Sequence, residues 1–161
     1  MENPYESETG CCPRFDPQPW DEKEIQWDGK LFIKDKVRCF LYMPLNFGKA
    51  MVRCMDKIEK ADAFTPAPPL GLSDHTSPWN MDLYIEVTKN VPEADTVKLS
   101  GTYMTKVFEG PYKDTRIWCK QMQEWVSAQG KTIQKHLMYY TTCPKCAKHY
   151  GKNYVVYFAQ V

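Results

Sequence analysis

The 161-residue chain has no apolar run long enough to span a bilayer. Its first residues are acidic and polar and lack the basic and apolar segments of a secretory leader, so a cytoplasmic protein is expected. Neither sign of charge dominates, since 21 Lys and Arg against 20 Asp and Glu leave a net charge of +1. That balance removes the electrostatic footprint that nucleic acid or an anionic membrane would need. Histidine is scarce: His75, His136 and His149 are scattered, and none has a partner at ligand spacing. No Ser–His–Asp set, phosphate-cradling glycine loop or HExxH stands out, and no cofactor is expected.

Cysteine is present in an odd number: Cys11, Cys12, Cys39, Cys54, Cys119, Cys143 and Cys146. Without a leader, that count argues for reduced thiols. Cys39, Cys54 and Cys119 fall inside expected elements and read as small core residues. Cys143-Pro-Lys-Cys146 is a lone CxxC. Zinc would need two more ligands, from the vicinal Cys11-Cys12 pair or His149, and the vicinal pair is poor geometry for one metal. A structural metal, a redox pair and plain loop thiols all stay open, with no tightly bound metal as the expectation.

What the chain does have is aromatic surface, 14% of its residues. That exceeds what a core of this size needs, and aromatic surface is how proteins hold flat apolar ligands. The chain is organised around residues 100–128. Val97–Glu109 reads as a strand, with Val97, Leu99, Tyr103, Thr105 and Val107 on one alternation phase. Gly110-Pro111 makes a corner. A helix over Tyr112–Ala128 follows, with Trp118, Met122, Trp125 and Val126 as its stripe and Gly130 as its stop.

Residues 1–29 read as irregular, with Phe15–Trp27 laid over the domain as a strap that carries Trp20 and Trp27. The first strand is expected over Lys30–Met43, broken near Asp35-Lys36. A helix capped by Asn46 then runs to Ala63, with Phe47, Met51, Met55 and Ile58 as its stripe. Strands are expected at Leu70–Ser73, Met81–Lys89, His136–Thr142 and Tyr154–Val161, and Cys143–Asn153 as a polar loop.

Strand, helix, strand, strand thus occurs twice, over about residues 30–90 and 96–161. A shift of 67 places Met51 on Trp118 and Leu70–His75 on Leu137–Thr142; a shift of 74 places Asp82–Val87 on Val156–Val161. An internal duplication would give an α+β, two-layer fold: one antiparallel sheet with both helices on one face, in a single domain over 30–161. Leu83, Ile85 and Val87 should then pack under the helix, leaving Tyr84 and Glu86 on the other face, with Phe158 and Gln160 as their counterparts. Leu70 and Leu72 match Leu137 and Tyr139 on the helix side, which sends Tyr140 to the open face. That face is either a solvated exterior or a concave cleft between the halves with Glu86 at its floor.

GTYMTKVFEGPY with its Trp-rich helix resembles the strand–corner–helix of the GyrI-like small-molecule-binding domains, which include the ligand-binding halves of BmrR-type multidrug regulators. WNMDLYIEV resembles the preceding family strand, which carries an acid in the ligand pocket. The resemblance covers about residues 37–161. It implies a pocket for flat, hydrophobic and often cationic compounds. It also implies kinship with a stand-alone branch that hydrolyses the strained cyclopropane of DNA-alkylating natural products, although CCPRFDPQPW and the segment from Tyr140 onward depart from the general pattern. On that basis Glu86 or Glu109 would activate a water, and Tyr84 or Tyr140 would donate to the substrate carbonyl. Trp79, Tyr84, Phe108, Tyr112, Tyr140 and Trp20 would line the ligand site. A binding-only protein and a gyrase-inhibitor type of interaction module are the alternatives.

Overall fold

The computed structural model describes residues 15–141 and 144–161, and these fall into two compact units. One is Asp28–Ser100; the other joins residues 15–27 to Gly101–Val161. Cys11, Cys12 and Cys143 lie outside the described residues. Both units are α+β with antiparallel strand pairing.

In the first unit β1 (Lys23–Phe40) turns into the two-residue β2 (Met43–Pro44), followed by α1 (Phe47–Lys60), β3 (Gly71–Asp74) and β4 (Asn80–Glu86). β4 lies between β1 and β3 and is antiparallel to both, with Tyr84 opposite Lys34 on one side and Leu72 on the other. In the second unit β5 (Asp95–Glu109) leads through a 3-10 turn at Tyr112–Asp114 into α2 (Thr115–Ala128), then β6 (Lys135–Tyr140), α3 (Pro144–Tyr150) and β7 (Tyr154–Gln160). β7 lies between β5 and β6, with Phe158 opposite Thr105 and Leu137. The last strand is central in each unit, and the second unit has α3 between its last two strands where the first has none.

Each helix buries one stripe against its strands. Ala50, Cys54 and Ile58 of α1 pack on Ile33, Val37, Met81, Leu83, Ile85 and Val87. Phe47, Met51 and Met55, expected to centre that stripe, are only partly buried at its margin. Trp118, Met122 and Val126 of α2 pack on Met104, Phe108, Met138, Val155, Tyr157 and Ala159, with Trp125 partly buried beside them. Each such side chain removed from water contributes about 1.5–3 kcal/mol. The helix ends after Ala128, and Gly130, at φ +75, takes the left-handed conformation that stops it.

Four local expectations are corrected. Strand β1 begins at Lys23, so residues 23–29 are not irregular. It also runs unbroken through Asp35-Lys36, because Asp35 points to the helix side and is satisfied there. Its carboxylate accepts from Arg53 Nε at 2.7 Å, from the Lys36 N–H at 2.8 Å and from the Cys54 thiol at 3.5 Å. Burial pushes the Asp35 pKa up, but these bonds outweigh it and the net shift is downward. Burial, with Asp35 adding to it, pushes the Cys54 thiol up to about 12. Asn46 precedes α1 without capping it; its Oδ1 accepts the Arg38 N–H at 2.8 Å instead. Residues Pro144–Tyr150 are helical rather than loop, with Pro144 at the start and Gly151 at φ +73 after the end, the favoured placement of both residue types.

His75, half-buried between β3 and β4, has its pKa lowered from 6.5 by burial, with Asp74 opposing. A histidine with a depressed folded pKa contributes stability that is present above its unfolded value and lost as pH falls through the folded value. Urea midpoints should therefore fall as pH drops below 6.5, and His75→Gln should flatten that fall. An unchanged slope in the variant would remove His75 as its source.

Candidate functional site

Directly opposed residues in an antiparallel pair share a face, so the registers sort every candidate. In the first unit the face turned away from α1 carries Phe32 and Lys34 of β1, Asp82, Tyr84 and Glu86 of β4, and Leu72 of β3. Phe32, Leu72 and Tyr84 are buried there, Tyr84 with its ring at right angles to Phe32 at 6.5 Å. Lys34 Nζ stands 5.9 Å over the Tyr84 ring and 3.6 Å from Asp82. The Tyr84 oxygen first, and then Asp82, raise its pKa. Glu86 ends the strand half-buried. Its Oε2 lies 2.6 Å from Lys30 Nζ and its Oε1 accepts the Leu70 N–H at 3.2 Å. Tyr84 and Glu86 thus share a face as expected, and both carboxylate oxygens of Glu86 are engaged by groups of that unit.

In the second unit the face turned away from α2 is aromatic. Tyr103 and Phe158 are buried on it. Trp27 packs on both, at 4.6 Å and 5.7 Å. Trp20 packs on Phe158 at 5.6 Å and on Tyr139 at 6.2 Å. Phe15 meets Tyr139 and Tyr154 at 6.0 Å and 5.7 Å. The strap is held by backbone as well as rings: Thr105 Oγ1 donates to the Trp20 carbonyl at 2.6 Å, and the Val107 N–H donates to Asp21 Oδ1 at 3.1 Å. Gln160, expected as the counterpart of Glu86, lies opposite Tyr103 and Lys135.

The other candidates lie elsewhere. Phe108 is in the helix-side core, stacked on Trp118 at 5.7 Å and 18°. Tyr140 is also on the helix side, opposite Val155, and meets the exposed Tyr112 edge-on at 5.4 Å. Leu70 and Leu72, expected under the helix, sit on the far side with Glu86 and Tyr84. The pairing thus reverses the phase expected for β3 and β6. Glu109 is exposed at the end of β5, opposite Tyr154. Trp79 is exposed beside Phe40, with rings 5.7 Å apart. A groove of about 310 Å³ runs along Glu22, Lys23, Glu24, Met104, Trp125 and Gln129, and none of the named site residues lines it. Under α2, Tyr157 hydrogen-bonds His136 and donates to Cys119 Sγ at 3.4 Å. Burial pushes its phenol far up, so it stays neutral. Among the described residues no three His, Cys, Asp or Glu side chains gather as a metal site.

Residues 2–161 match the bacterial hydrolase family. The chain belongs to that family. It is similar in fold to a hydrolase encoded by lin2189 from Listeria innocua, at 13% identity over 88% of this chain and 92% of that one, with a TM-score of 0.63. It is also similar to SAV2435 solved bound to tetraphenylphosphonium, at 17% identity over 86% and 92% with a TM-score of 0.50. A third likeness is to a putative bacterial transcription regulation protein from Staphylococcus aureus MU50, at 16% identity over 88% and 98% with a TM-score of 0.50. At these identities the likeness speaks for the fold. No curated protein matches the sequence.

Tyr103, Tyr139, Phe32 and Lys30 were not among the expected site residues. Trp27, expected on the strap, packs on Tyr103 and Phe158. Lys30 gave no sequence signal, because a salt bridge between distant residues leaves no local pattern.

Gly101, at φ +126 in the middle of β5, is the point on this face least open to change. An added Cβ would come within 2.9 Å of Gln160 Nε2. The amide can swing aside, but the backbone conformation cannot be relieved. Gly101→Ala should lower stability by about 1–3 kcal/mol in urea titration. A loss below the error of the measurement would show that β5 relaxes at this position.

Proposed function

We propose that this member of the bacterial hydrolase family is a cytoplasmic GyrI-like protein that takes up flat hydrophobic compounds and hydrolyses electrophilic ones among them. The observation that carries the reading is the pairing of a buried tyrosine with a carboxylate, Tyr84 and Glu86, on one sheet face of the first unit. The aromatic face of the second unit supports it, as does family membership. We read the recurrence of strand, helix and two further strands as an internal duplication.

Glu86 and Tyr84 are the residues we assign to the chemistry. On a strained cyclopropane joined to a carbonyl, Glu86 accepts a proton from water as the water oxygen bonds to a ring carbon. The ring C–C bond breaks, its electron pair moves to the carbonyl oxygen, and the Tyr84 hydroxyl stabilises the charge that develops there. Glu86 must leave Lys30 to do this, so Lys30 sets how readily the carboxylate is released. Glu109, exposed at the strand end, is the weaker acid candidate.

The second reading is capture without turnover. SAV2435 was solved with tetraphenylphosphonium, a lipophilic cation, and a carboxylate that already holds an ammonium group at 2.6 Å suits that task. Glu86→Gln separates the two. If Glu86 only balances a cation, the variant should bind cationic dyes about 10- to 150-fold more weakly, the worth of one charged hydrogen bond or ion pair in a partly dry site. Neutral ligands should bind it as before. If Glu86 is catalytic, the variant should still bind a neutral cyclopropane electrophile while its turnover falls about 100-fold or more. Dye quenching of tryptophan fluorescence and product formation are the readouts. Should Glu86→Gln change neither while Glu109→Gln abolishes both, the acid has been misassigned.

A further inference from the structure

Most of the large apolar side chains that the described residues leave exposed gather at one end of the first unit. Phe40, Leu41, Tyr42, Met43, Leu45 and Trp79 are each between 53% and 69% exposed. They form one feature. Phe40 opposes Met43 across the hairpin of β1 and β2, and Leu41-Tyr42 is its two-residue loop. The Tyr42 N–H bonds the Pro78 carbonyl at 2.9 Å, and the Cys39 N–H bonds that of Trp79 at 2.7 Å. The tip is thereby fastened to the segment that carries Trp79.

Leu41 and Tyr42 have φ +47 and +70. A two-residue hairpin loop with both φ values positive favours Asn-Gly, because bulky side chains strain that conformation. Here the strained positions hold a leucine and a tyrosine that are each more than half exposed, the tyrosine ring meeting His75 edge-on at 6.4 Å, and burial does not account for them.

Charge then narrows the partner. From Lys36 to Met55 the chain has four bases and no acid. The acids that flank this run are already held, Asp35 by Arg53 at 2.7 Å and Asp56 by Lys60 at 3.0 Å. Arg38 and Lys49 are exposed on either side of the tip in sequence, whereas Lys36, also exposed, lies opposite Asp82. The whole-chain charge of +1 conceals this local asymmetry. A second copy of the tip would bring like charges together. A protruding mixture of Leu and Met with Tyr and Trp, rimmed by bases, has the composition of an interfacial anchor.

We propose that the hairpin tip docks the protein on an anionic lipid surface. Leu41, Tyr42 and Met43 enter the headgroup region, Phe40 and Trp79 lie at its boundary, and Arg38 and Lys49 meet the phosphates. This is independent of the reading given for Tyr84 and Glu86.

The test is co-sedimentation of the whole protein with phosphatidylcholine vesicles with and without phosphatidylglycerol. Binding should require phosphatidylglycerol and weaken as salt is raised. The double variant Leu41→Asn, Tyr42→Gly supplies the residues that the turn prefers, so it should fold at least as well. It should bind at least about 10-fold more weakly. Arg38→Gln with Lys49→Gln should weaken binding about 25-fold, roughly fivefold per base. The proposal is overturned if the native protein binds neither vesicle, or if the turn variant binds as well as the native chain. It is equally overturned if the native protein is a dimer that the turn variant converts to monomer, since the tip would then be a self-association surface.

Discussion

A strand that is hydrogen-bonded along both edges and buried on both faces sets the terms for each unit. β4 and β7 are those strands: five of the seven residues of β7 and four of the seven of β4 are buried. Such a strand is largely apolar or aromatic on both phases, and any charge it carries needs a partner. In β4 the helix-side phase is aliphatic, Met81, Leu83 and Ile85, and the other phase is Asp82, Tyr84 and Glu86. Polar atoms on that second phase can persist only with partners, because an unpaired buried charge costs several kcal/mol. The pairs Glu86–Lys30 and Asp82–Lys34 follow from this requirement. Whatever chemistry the face performs has to work through those lysines.

The same constraint explains what could be read from the sequence and what could not. The α2 stripe of Trp118, Met122 and Val126 was legible because a helix with one buried side carries its period openly. The phase of β4 was legible because its two faces differ in chemistry. The phase of β6 was not, because in Leu137, Met138, Tyr139 and Tyr140 both faces are apolar or aromatic and alternation has no contrast to report. That lost contrast moved Tyr140 to the wrong side. The core position of Phe108 was hidden for a related reason: its neighbours Val107 and Glu109 look no different from those of a face-lining aromatic, and only the stack on Trp118 decides.

Long-range partners were the other hidden class. Asp35 looks like a strand breaker until Arg53 and Cys54 of α1 are brought beside it. Asn46 looks like a helix cap until the Arg38 N–H takes its oxygen. In both cases a short polar side chain had a local use and a tertiary one, and the tertiary one won because it satisfies a group the strand would otherwise leave bare. The strap belongs here too. Its tryptophans announced burial, but which sheet face receives them depends on Thr105 and Asp21 bonds spanning more than eighty residues.

The central strands of the two units differ in what their outward faces carry. Glu86 stands opposite Phe32, whereas Gln160 stands opposite Tyr103 and beside the bare backbone of Gly101. Tyr84 has Lys34 over its ring, whereas Phe158 has Trp20 and Trp27. One face thus carries charge and a hydroxyl, and the other an amide and rings packed at a tilt. A carboxylate is a stronger proton acceptor than an amide, and packed rings offer area without reactivity.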